Sequence, residues 1–449
     1  MHRSGTMGPV IDSSTRLVTT LGEVTMNPVR RLPARLAAGL LVAGLAVLAG
    51  CGANAPVWNG GGSNAGAAGG RAQAKVSGPA NGATDVPTSA EIAFTAAGTS
   101  TVTLTDAAGA TVAGATRPDG SSWVPAEQLK YDTKYTARIT TNAKGATATA
   151  TTTFTTMSKP GTTIGVHSYV GDGQVVGVAA PFVLQFDQQI PEKDRAAVQR
   201  RLWITTTPAQ EGAWNWMSGN EVHFRPKDHW KTGTKVFVRA GFGGVPLSGG
   251  GYGRNDLTIE ASVRPDDLEI VIDNANKQMT VTRDGTVLKT IPVSLGKAST
   301  PSSSGSMVVM TKAESEIFDS ATTGTPPGAP GYYRETIYYP LRLTWGGQYI
   351  HAAPWSVGEQ GQNNVSHGCT NISTEAAKWL FDYVSVGDPV TVKNTGAPLN
   401  WGDGWTDWNV PFAEYVQGSA LPYTPNTAAQ AGPAAPAPAL PSPSSSPQG

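Results

Sequence analysis

The sequence predicts a mainly β protein built from several sandwich domains in series. Its 449 residues are too many for one domain and suit two to four. Residues 101–105 and 135–139 place a β-branched or apolar side chain at every second position, which is the period of a half-buried strand. Turn-forming residues separate stretches of this kind at intervals of about 8–12 residues, as expected for sandwich domains.

The composition narrows the possible functions. The 33 Lys and Arg residues balance 33 Asp and Glu residues, and charged residues make up only 15% of the chain. No basic run occurs beyond the N-terminal region, which argues against a nucleic-acid partner. Residues 52–74 are rich in Gly, Ala, Ser and Asn and predict a flexible tether. The Pro-, Ala- and Ser-rich residues 425–449 predict a disordered tail.

Residues 1–51 carry the features of a leader with an export signal. A segment starting at Met26 has three arginines and then an apolar run at residues 36–47, which is too short to span a bilayer. The next four residues, Leu-Ala-Gly-Cys ending at Cys51, resemble a bacterial lipobox. We therefore expect Cys51 to be lipidated and to anchor an exported protein on the outer face of the cell membrane. The alternative is an ordinary secretory peptide with a chance cysteine.

Two sandwich domains are predicted next, at residues 75–158 and 159–263. His223 and His229 lack cysteine or carboxylate partners at metal-binding spacing, so we interpret them as structural or surface residues. The second domain also holds five aromatic residues that we interpret as core, with carbohydrate binding as the alternative. These are Trp203, Trp214, Trp216, Phe224 and Trp230.

A third domain is predicted at residues 264–395. Asp284 and Gly285 form a hairpin turn signal, and Ser373 is a predicted N-cap for a helix over residues 374–383. These elements again indicate a sheet-rich domain, now with one short helix.

Two further segments of the sequence bear on the third domain. The Pro- and Gly-rich residues 318–344 predict a long loop, and long loops inside compact domains are usually functional. Residues 396–424 are so rich in aromatic side chains that we expect them to dock on the third domain rather than form a free tail.

The chemistry-bearing residues are concentrated around Cys369, one of two cysteines in the chain. It lies two residues after His367 and eighteen after His351, and a nearby imidazole lowers the pKa of a thiol nucleophile. Gly368 permits a sharp turn whose N–H groups can bind an oxyanion. The alternative is a structural cysteine, but the segment is polar and structural cysteines prefer apolar surroundings. If Cys51 is lipidated, Cys369 is an unpaired thiol in an exported protein, which also favours a nucleophile.

These residues carry a family resemblance. The sequence His-Ala-Ala-Pro-Trp at residues 351–355, followed by Ser-His-Gly-Cys-Thr-Asn at 366–371, resembles the active-site signature of the L,D-transpeptidase (YkuD-type) catalytic domain. The resemblance covers residues 268–395. It implies a mainly β fold with two immunoglobulin-like β-sandwich domains followed by a YkuD-type β-sandwich catalytic domain, as in actinobacterial lipoprotein members.

The resemblance also implies roles for individual residues. Cys369 is the expected nucleophile and His351 its base, which the backbone carbonyl of Ala352 orients. The remaining expected residues divide into two groups. Ser366, His367 and Gly368 support the turn and the oxyanion, and Tyr333, Gly346, Gly347, Trp355 and Asn371 contact substrate. No cofactor is expected. A metal site of His351, His367 and Cys369 is a weaker hypothesis than the catalytic one, because no Asp or Glu lies near the motifs.

The function implied by the resemblance is transfer of an acyl group between peptidoglycan stem peptides. A thioester forms on the cysteine with release of a terminal D-Ala, and the acyl group then passes to another stem in a 3→3 cross-link. Carbapenem β-lactams are expected to acylate the same cysteine, and the anchored protein would face the cell wall. The alternatives are an L,D-carboxypeptidase, in which water is the acceptor, and a lipoprotein that binds peptidoglycan without catalysis.

Overall fold

The computed structural model describes residues 72–423 except 118, 119 and 121. The leader, Cys51, most of the tether and the C-terminal tail therefore lie outside the described residues. The described chain consists mainly of β-strands with a few short helices, which confirms the predicted fold class. Among the described helices, none has the length and apolar character needed to cross a membrane.

The first sandwich consists of two facing sheets. Its strands are β1 (Gln73–Gly78), β2 (Ala83–Val86), β3 (Ile92–Ala97), β4 (Thr99–Asp106), β5 (Thr111–Val112), β6 (Gly114–Thr116), β7 (Ser122–Pro125), β8 (Lys134–Ala143) and β9 (Ala146–Thr156). One sheet has the order β1-β3-β7-β6 and the other β2-β9-β8-β4-β5. Alternate residues of β8, including Tyr135, Ala137 and Ile139, are fully buried between them, as the period of two predicts.

The second sandwich has the same two-layer plan with one helix added. Its elements are β10 (Thr163–Ile164), β11 (Val166–Ser168), β12 (Gln174–Val176), β13 (Phe182–Phe186), α1 (Glu192–Gln199), β14 (Leu202–Thr207), β15 (Gly212–Trp216), β16 (Glu221–Pro226), β17 (Lys235–Ala240), β18 (Tyr252–Gly253) and β19 (Leu257–Val263). The sheets run β11-β13-β16-β15 and β12-β19-β17-β14. All five aromatic residues noted in the sequence are buried.

The third domain opens with a six-stranded sheet and continues into a smaller one. Its strands are β20 (Leu268–Asp273), β21 (Gln278–Arg283), β22 (Thr286–Pro292), β23 (Ser303–Val308), β24 (Thr311–Lys312), β25 (Ser315–Asp319), β26 (Arg334–Tyr338), β27 (Leu341–Arg342), β28 (Tyr349–Ala352), β29 (Thr370–Ile372), β30 (Pro389–Lys393) and β31 (Ala397–Pro398). The sheets run β22-β21-β20-β30-β23-β31 and β24-β27-β28-β29, with α2 (Thr374–Tyr383) after β29. Helix α2 has the predicted bounds, and the Ser373 hydroxyl accepts the Ala376 N–H as its N-cap.

The predicted long loop is a hairpin instead. Strands β25 and β26 pair antiparallel, with Ser315 opposite Tyr338 and Asp319 opposite Arg334. The connection between them begins with a 3₁₀ turn at Ser320–Thr323, which the Asp319 carboxylate caps. Six of the segment's seven prolines and glycines lie in the connection, and Pro340 follows β26. We name residues 315–338, the two strands with their connection, the lid.

Residues 400–423, which we name the clasp, extend beyond the third domain. Asp403 accepts the N–H of Gly346, and Trp405 is fully buried beside Met310, so the clasp does contact the third domain. It then crosses to the second sandwich, where the carbonyl of Tyr415 accepts the side-chain amide of Asn215 at 2.6 Å. The aromatic side chains of the clasp therefore cover both the third domain and the second sandwich.

A buried charge network fixes the clasp to β16. The two ring nitrogens of His223 contact Asp407 at 3.0 Å and Glu221 at 2.8 Å, and the Tyr415 hydroxyl donates to Asp407 at 2.9 Å. His223, Asp407 and Tyr415 have no exposed surface. Burial alone would lower the pKa of His223, but the two carboxylates outweigh it and raise that pKa to about 9.

Arg264 and Asp388 join the second sandwich to the third domain. Arg264 follows β19 and donates to the buried Asp388, and the N–H of Gly177 donates to the Val386 carbonyl at 2.8 Å. Burial raises the pKa of Asp388 to about 6, and the Arg264 guanidinium limits that rise. The third domain is thus joined to the second sandwich by these polar contacts and by the clasp.

Candidate active site

Two adjacent strands bring the predicted nucleophile and base together. Strands β28 and β29 run parallel, and their register sets His351 opposite Asn371. Cys369 immediately precedes β29, so it faces the same end of the small sheet as His351. Both residues line one cavity of about 450 Å³. Residues separated by eighteen positions in the sequence therefore share a site because the sheet pairs their strands.

His351 is held in one orientation within an apolar environment. Its Nδ1–H donates to the Ala352 carbonyl at 2.9 Å, so Nε2 is the nitrogen that remains to accept a proton. The side chain is only 3% exposed, and its ring centroid lies 5.6 Å from that of Phe318 and 6.1 Å from that of Trp355. Burial lowers the pKa of His351, and the Ala352 hydrogen bond offsets this in part.

The thiol of Cys369 differs from the sequence-based expectation. Its Sγ–H donates to the Gly347 carbonyl at 3.6 Å, and no hydrogen bond of the described residues joins it to His351. Burial raises the pKa of Cys369 to about 11, although a backbone contact with Tyr349 opposes the rise. The expectation of a thiol pKa lowered by imidazole is therefore wrong for the resting site, which holds a neutral thiol beside a neutral imidazole.

The turn before Cys369 is fixed by two serine hydroxyls. Gly368 has a φ of +131°, a conformation that residues with a Cβ rarely adopt. The Ser366 hydroxyl accepts the Gly368 N–H and donates to the Cys369 carbonyl at 2.6 Å. The Ser302 hydroxyl donates to the Gly368 carbonyl at 2.7 Å.

This arrangement changes the expected oxyanion donors. The Gly368 N–H is already used inside the turn, so it is not the group that faces a substrate. No hydrogen bond of the described residues engages the backbone N–H of His367 or of Cys369. These two N–H groups are the turn's available donors for an oxyanion at Cys369.

Two walls of mixed character enclose the cavity. The lid contributes Phe318, Tyr333, Glu335 and Ile337, and the opposite wall contributes Trp355, Ser356, Glu359, Val365, Ser366 and His367. The rings of Tyr333 and His367 stack with centroids 5.9 Å apart. Burial raises the pKa of the Tyr333 phenol, so this residue is a hydrogen-bonding hydroxyl at neutral pH.

The other predicted substrate contacts divide into two groups. Trp355 is 60% exposed at the rim, and Asn371 lines the cavity while its amide donates to Ser356 at 3.1 Å. Gly347 has a φ of +91° and presents its carbonyl to Cys369. Gly346 instead points to the clasp, where a Cβ would lie 2.7 Å from Asp403, so it does not contact the cavity.

Sequence reasoning missed four polar residues at this site. Ser302 supports the turn, Glu335 and Glu359 line the cavity, and Lys297 contacts His367. None belongs to the signature motif, and no local spacing distinguishes them from surface residues. Within the part of the chain that the structure describes, no group of three or more His, Cys, Asp and Glu side chains is arranged to hold a metal ion.

Comparisons with known proteins agree on one family. Residues 267–392 match the L,D-transpeptidase catalytic domain, and residues 83–246 match a bacterial Ig domain. L,D-transpeptidase 2 of Mycobacterium tuberculosis (strain CDC 1551 / Oshkosh) is 38% identical over 343 residues, which cover 76% of this chain and 83% of that protein. L,D-transpeptidase 5 of M. tuberculosis (strain ATCC 25618 / H37Rv) is 35% identical over 330 residues, covering 72% and 71%.

A solved structure of the LD transpeptidase LdtMt1 in complex with imipenem shares 38% sequence identity with this chain. The match covers 52% of this chain and 100% of that chain, with a TM-score of 0.44. The similarity to these two M. tuberculosis proteins covers both the sandwich region and the catalytic domain of this chain. By that extended similarity and by the site just described, the chain belongs to the L,D-transpeptidase family and is an acyltransferase with a YkuD-type catalytic domain.

Proposed function

We propose that this protein forms 3→3 cross-links between peptidoglycan stem peptides through a thioester on Cys369. The observation that carries the proposal is the pair of Cys369 and His351 in one cavity, with the imidazole fixed by Ala352 and its Nε2 left to move a proton. Family membership supplies the reaction class. The nucleophile, the donor and the acceptor are our inference.

The first half-reaction acylates the cysteine. His351 Nε2 takes the thiol proton as Sγ attacks the carbonyl carbon that joins the L-centre of the third stem residue to the terminal D-Ala. The backbone N–H groups of His367 and Cys369 bind the oxyanion. The carbon–nitrogen bond then breaks, and the imidazolium gives its proton to the leaving amine of D-Ala.

The second half-reaction transfers the acyl group. The neutral side-chain amine of an acceptor stem attacks the thioester carbon, His351 takes a proton from that amine, and the carbon–sulfur bond breaks. The proton then returns from His351 to the departing thiolate. Reactants and products balance without any cofactor, because one amide bond is exchanged for another.

The electrostatics of the resting site favour proton transfer during attack. The thiol has a raised pKa and the imidazole a lowered one, so a preformed thiolate–imidazolium pair is disfavoured. We propose that the thiol turns from the Gly347 carbonyl toward His351 when substrate enters, and that the proton moves as the carbon–sulfur bond forms.

The test of the proposed function is mass spectrometry of the intact protein. Incubation of the wild type with a tetrapeptide stem should give an adduct lighter than the peptide by one D-Ala, and this adduct should disappear when an amine acceptor is added. Imipenem should add its own mass to Cys369, because a strained β-lactam carbonyl is an activated analogue of the donor amide. Cys369→Ser tests whether the adduct forms on the thiol.

The products distinguish the rival functions. Cross-linked dimer with acceptor present supports transpeptidation, whereas tripeptide alone, with or without acceptor, indicates an L,D-carboxypeptidase. A protein that binds stem peptide but forms no adduct and releases no D-Ala would be a non-catalytic peptidoglycan-binding lipoprotein, and that result would overturn the proposal.

We also propose that Cys51 carries a lipid that anchors the protein on the outer face of the cell membrane, facing the wall. The lipobox-like sequence supports this, although Cys51 lies outside the described residues. Cys51→Ala should move the protein from the membrane fraction to the soluble exported fraction. Membrane retention of the variant, together with unprocessed wild-type protein, would contradict the anchor.

A further inference from the structure

Lys297 is tied to the loop that carries the nucleophile. Its backbone N–H donates to the Ser366 carbonyl at 3.0 Å, and its own carbonyl accepts the N–H of Thr300. The Thr300 hydroxyl donates to the same Ser366 carbonyl. These bonds fix the start of the Lys297 side chain against the turn that precedes Cys369.

The Lys297 ammonium extends this attachment to the cavity wall. Its Nζ lies 3.1 Å from Nε2 of His367, whose ring stacks on Tyr333 of the lid. An ammonium can only donate, so Nε2 accepts and the ring hydrogen of His367 lies on Nδ1. His367 and Tyr333 line the cavity, and Lys297 contacts the first of them, so Nε2 of His367 is occupied by a donor.

The ammonium has no carboxylate partner. Among the described residues, no Asp or Glu oxygen lies within 4.0 Å of Lys297 Nζ. Lys378 and Lys393 of the catalytic domain do have carboxylate partners, Asp382 at 2.9 Å and Asp273 at 3.4 Å. The domain's other lysines instead contact backbone carbonyls or an aromatic ring, so what sets Lys297 apart is its contact with the cavity wall. A cation that contacts the wall of a reaction cavity, with an imidazole as its polar partner, is suited to receive an anionic group of the substrate.

We propose that Lys297 binds the terminal carboxylate of the donor stem, which is the carboxylate of the D-amino acid that leaves. This inference rests on the proposed function, because it needs a donor that ends in a free D-amino acid. The leaving residue carries its carboxylate one carbon away from the scissile nitrogen. The Lys297 ammonium contacts His367, and His367 lines the same cavity as Cys369, so the ammonium lies beside the space in which the scissile amide must bind.

The proposal makes Lys297 a specificity residue for the acylation step alone. A charge-assisted hydrogen bond to the leaving group favours donors with a free terminal carboxylate over those with a terminal amide. It has no effect on transfer to the acceptor, because the D-amino acid has already departed when the amine attacks.

The experiment compares two donors that differ in this one group: a tetrapeptide ending in D-Ala and the same peptide ending in D-alaninamide. Single-turnover acylation of the wild type should be about tenfold or more faster for the acid, the ratio expected of one charge-assisted hydrogen bond. Lys297→Met should reduce the ratio to near one by slowing the acid reaction only. Lys297→Arg should keep part of the preference, because the charge remains.

A binding measurement separates recognition from catalysis. In a Cys369→Ala background, calorimetry should show tighter binding of the acid than of the amide, and the added Lys297→Met change should remove the difference. Lys193→Met, on the exposed face of α1 in the second sandwich, is a control with the same loss of charge and should keep the wild-type ratio.

The outcomes are distinct. If Lys297→Met slows both donors equally, Lys297 acts through the structure of the nucleophile loop and the proposal is wrong. An unchanged acid-to-amide ratio in the variant also overturns it. If the wild type forms no adduct with either peptide while it binds both, the proposed function fails first, and this inference falls with it.

Discussion

His351 and His223 are both buried, and their pKa values move in opposite directions. His351 is 3% exposed, has a backbone carbonyl as its polar partner and has a lowered pKa. His223 is fully buried, contacts Asp407 and Glu221, and has a pKa raised to about 9. One imidazole is kept neutral and the other is kept charged inside the same protein.

The difference lies in which polar groups surround each buried imidazole. Desolvation penalises the charged form at both positions, but only the β16–clasp junction supplies carboxylates that repay it. A neutral imidazole can take up and release a proton near neutral pH, whereas a permanently charged one contributes attraction between elements. The comparison therefore assigns chemistry to the first histidine and attachment of the clasp to the second.

The largest expected effect comes from removing the neutral histidine. His351→Ala should slow acylation by imipenem or a stem peptide by about 10²–10⁴-fold, the usual contribution of a general base. The melting temperature should change little by comparison, because no buried charge loses its partner. Stopped-flow acylation and a thermal melt measure the two effects. His367→Ala is the matched control and should retain more activity; the reverse ranking would exchange the roles of these histidines.

Removing the charged histidine should lower stability strongly and change the acylation rate little. His223→Ala leaves Asp407 buried without its cation, and breaking a buried pair in this way costs about 3–5 kcal/mol of unfolding free energy. Acylation measured at a temperature where the variant is folded should remain near the wild-type rate. A stable variant with slow acylation would show that the network serves the active site rather than the clasp.

The pH dependence of stability should follow the direction in which the pKa of each histidine is shifted. Because the folded pKa of His223 is raised above the unfolded value of about 6.5, its contribution is complete below that pH and is lost as pH rises through about 9. His351 has a lowered pKa, so protonation below about 6.5 reduces stability. The melting temperature of the wild type minus that of His223→Ala should therefore shrink between about pH 6.5 and 9. A constant difference would contradict the charged state of His223.

A milder change tests what keeps the active site neutral. Phe318 packs against His351 and Tyr349, with ring centroids 5.6 and 4.5 Å away. Phe318→Ala should admit water, so the pKa of Cys369 should fall from about 11 toward its ordinary value of about 8.5. Alkylation by iodoacetamide across pH 6–11 gives the midpoint. Phe318→Leu, which keeps most of the apolar volume, should shift it less.

The smallest expected effect belongs to the edge of the His223 network. Tyr415→Phe removes the hydroxyl that donates to Asp407 and leaves the two His223 contacts in place. We expect a loss of about 1 kcal/mol in unfolding free energy, the usual value of one hydrogen bond. Denaturant titration measures it, and a loss as large as that of His223→Ala would mean that the whole clasp has detached.

The sequence predicted best where local chemistry decides structure. Ser373 caps α2 as expected, because its hydroxyl needs only the N–H three residues later. Asp284 and Gly285 both have positive φ, as the predicted hairpin turn requires. The signature motif also predicted that Cys369 and His351 act together, and the structure places both in one cavity. Their pKa shifts come from burial, which the motif does not show.

Contacts between segments that are far apart in the chain explain most of what the sequence did not predict. Glu221, His223 and Arg225 alternate with Val222 and Phe224 along β16, a pattern typical of a strand with one face in water. The clasp covers that polar face from nearly two hundred positions away in the chain. Lys297 was missed for a related reason, since its contact with His367 joins segments 70 residues apart.

The clasp has a consequence for the order in which parts of the protein fold. The second sandwich precedes the catalytic domain in the chain and the clasp follows it, so the polar face of β16 stays hydrated until the segment with Asp407 and Tyr415 docks. Water solvates Glu221, His223 and Arg225 during that interval, and the exposed face does not favour aggregation as an apolar one would. The clasp then covers a surface that belongs to a much earlier part of the chain, so this contact holds together the two segments that flank the catalytic domain.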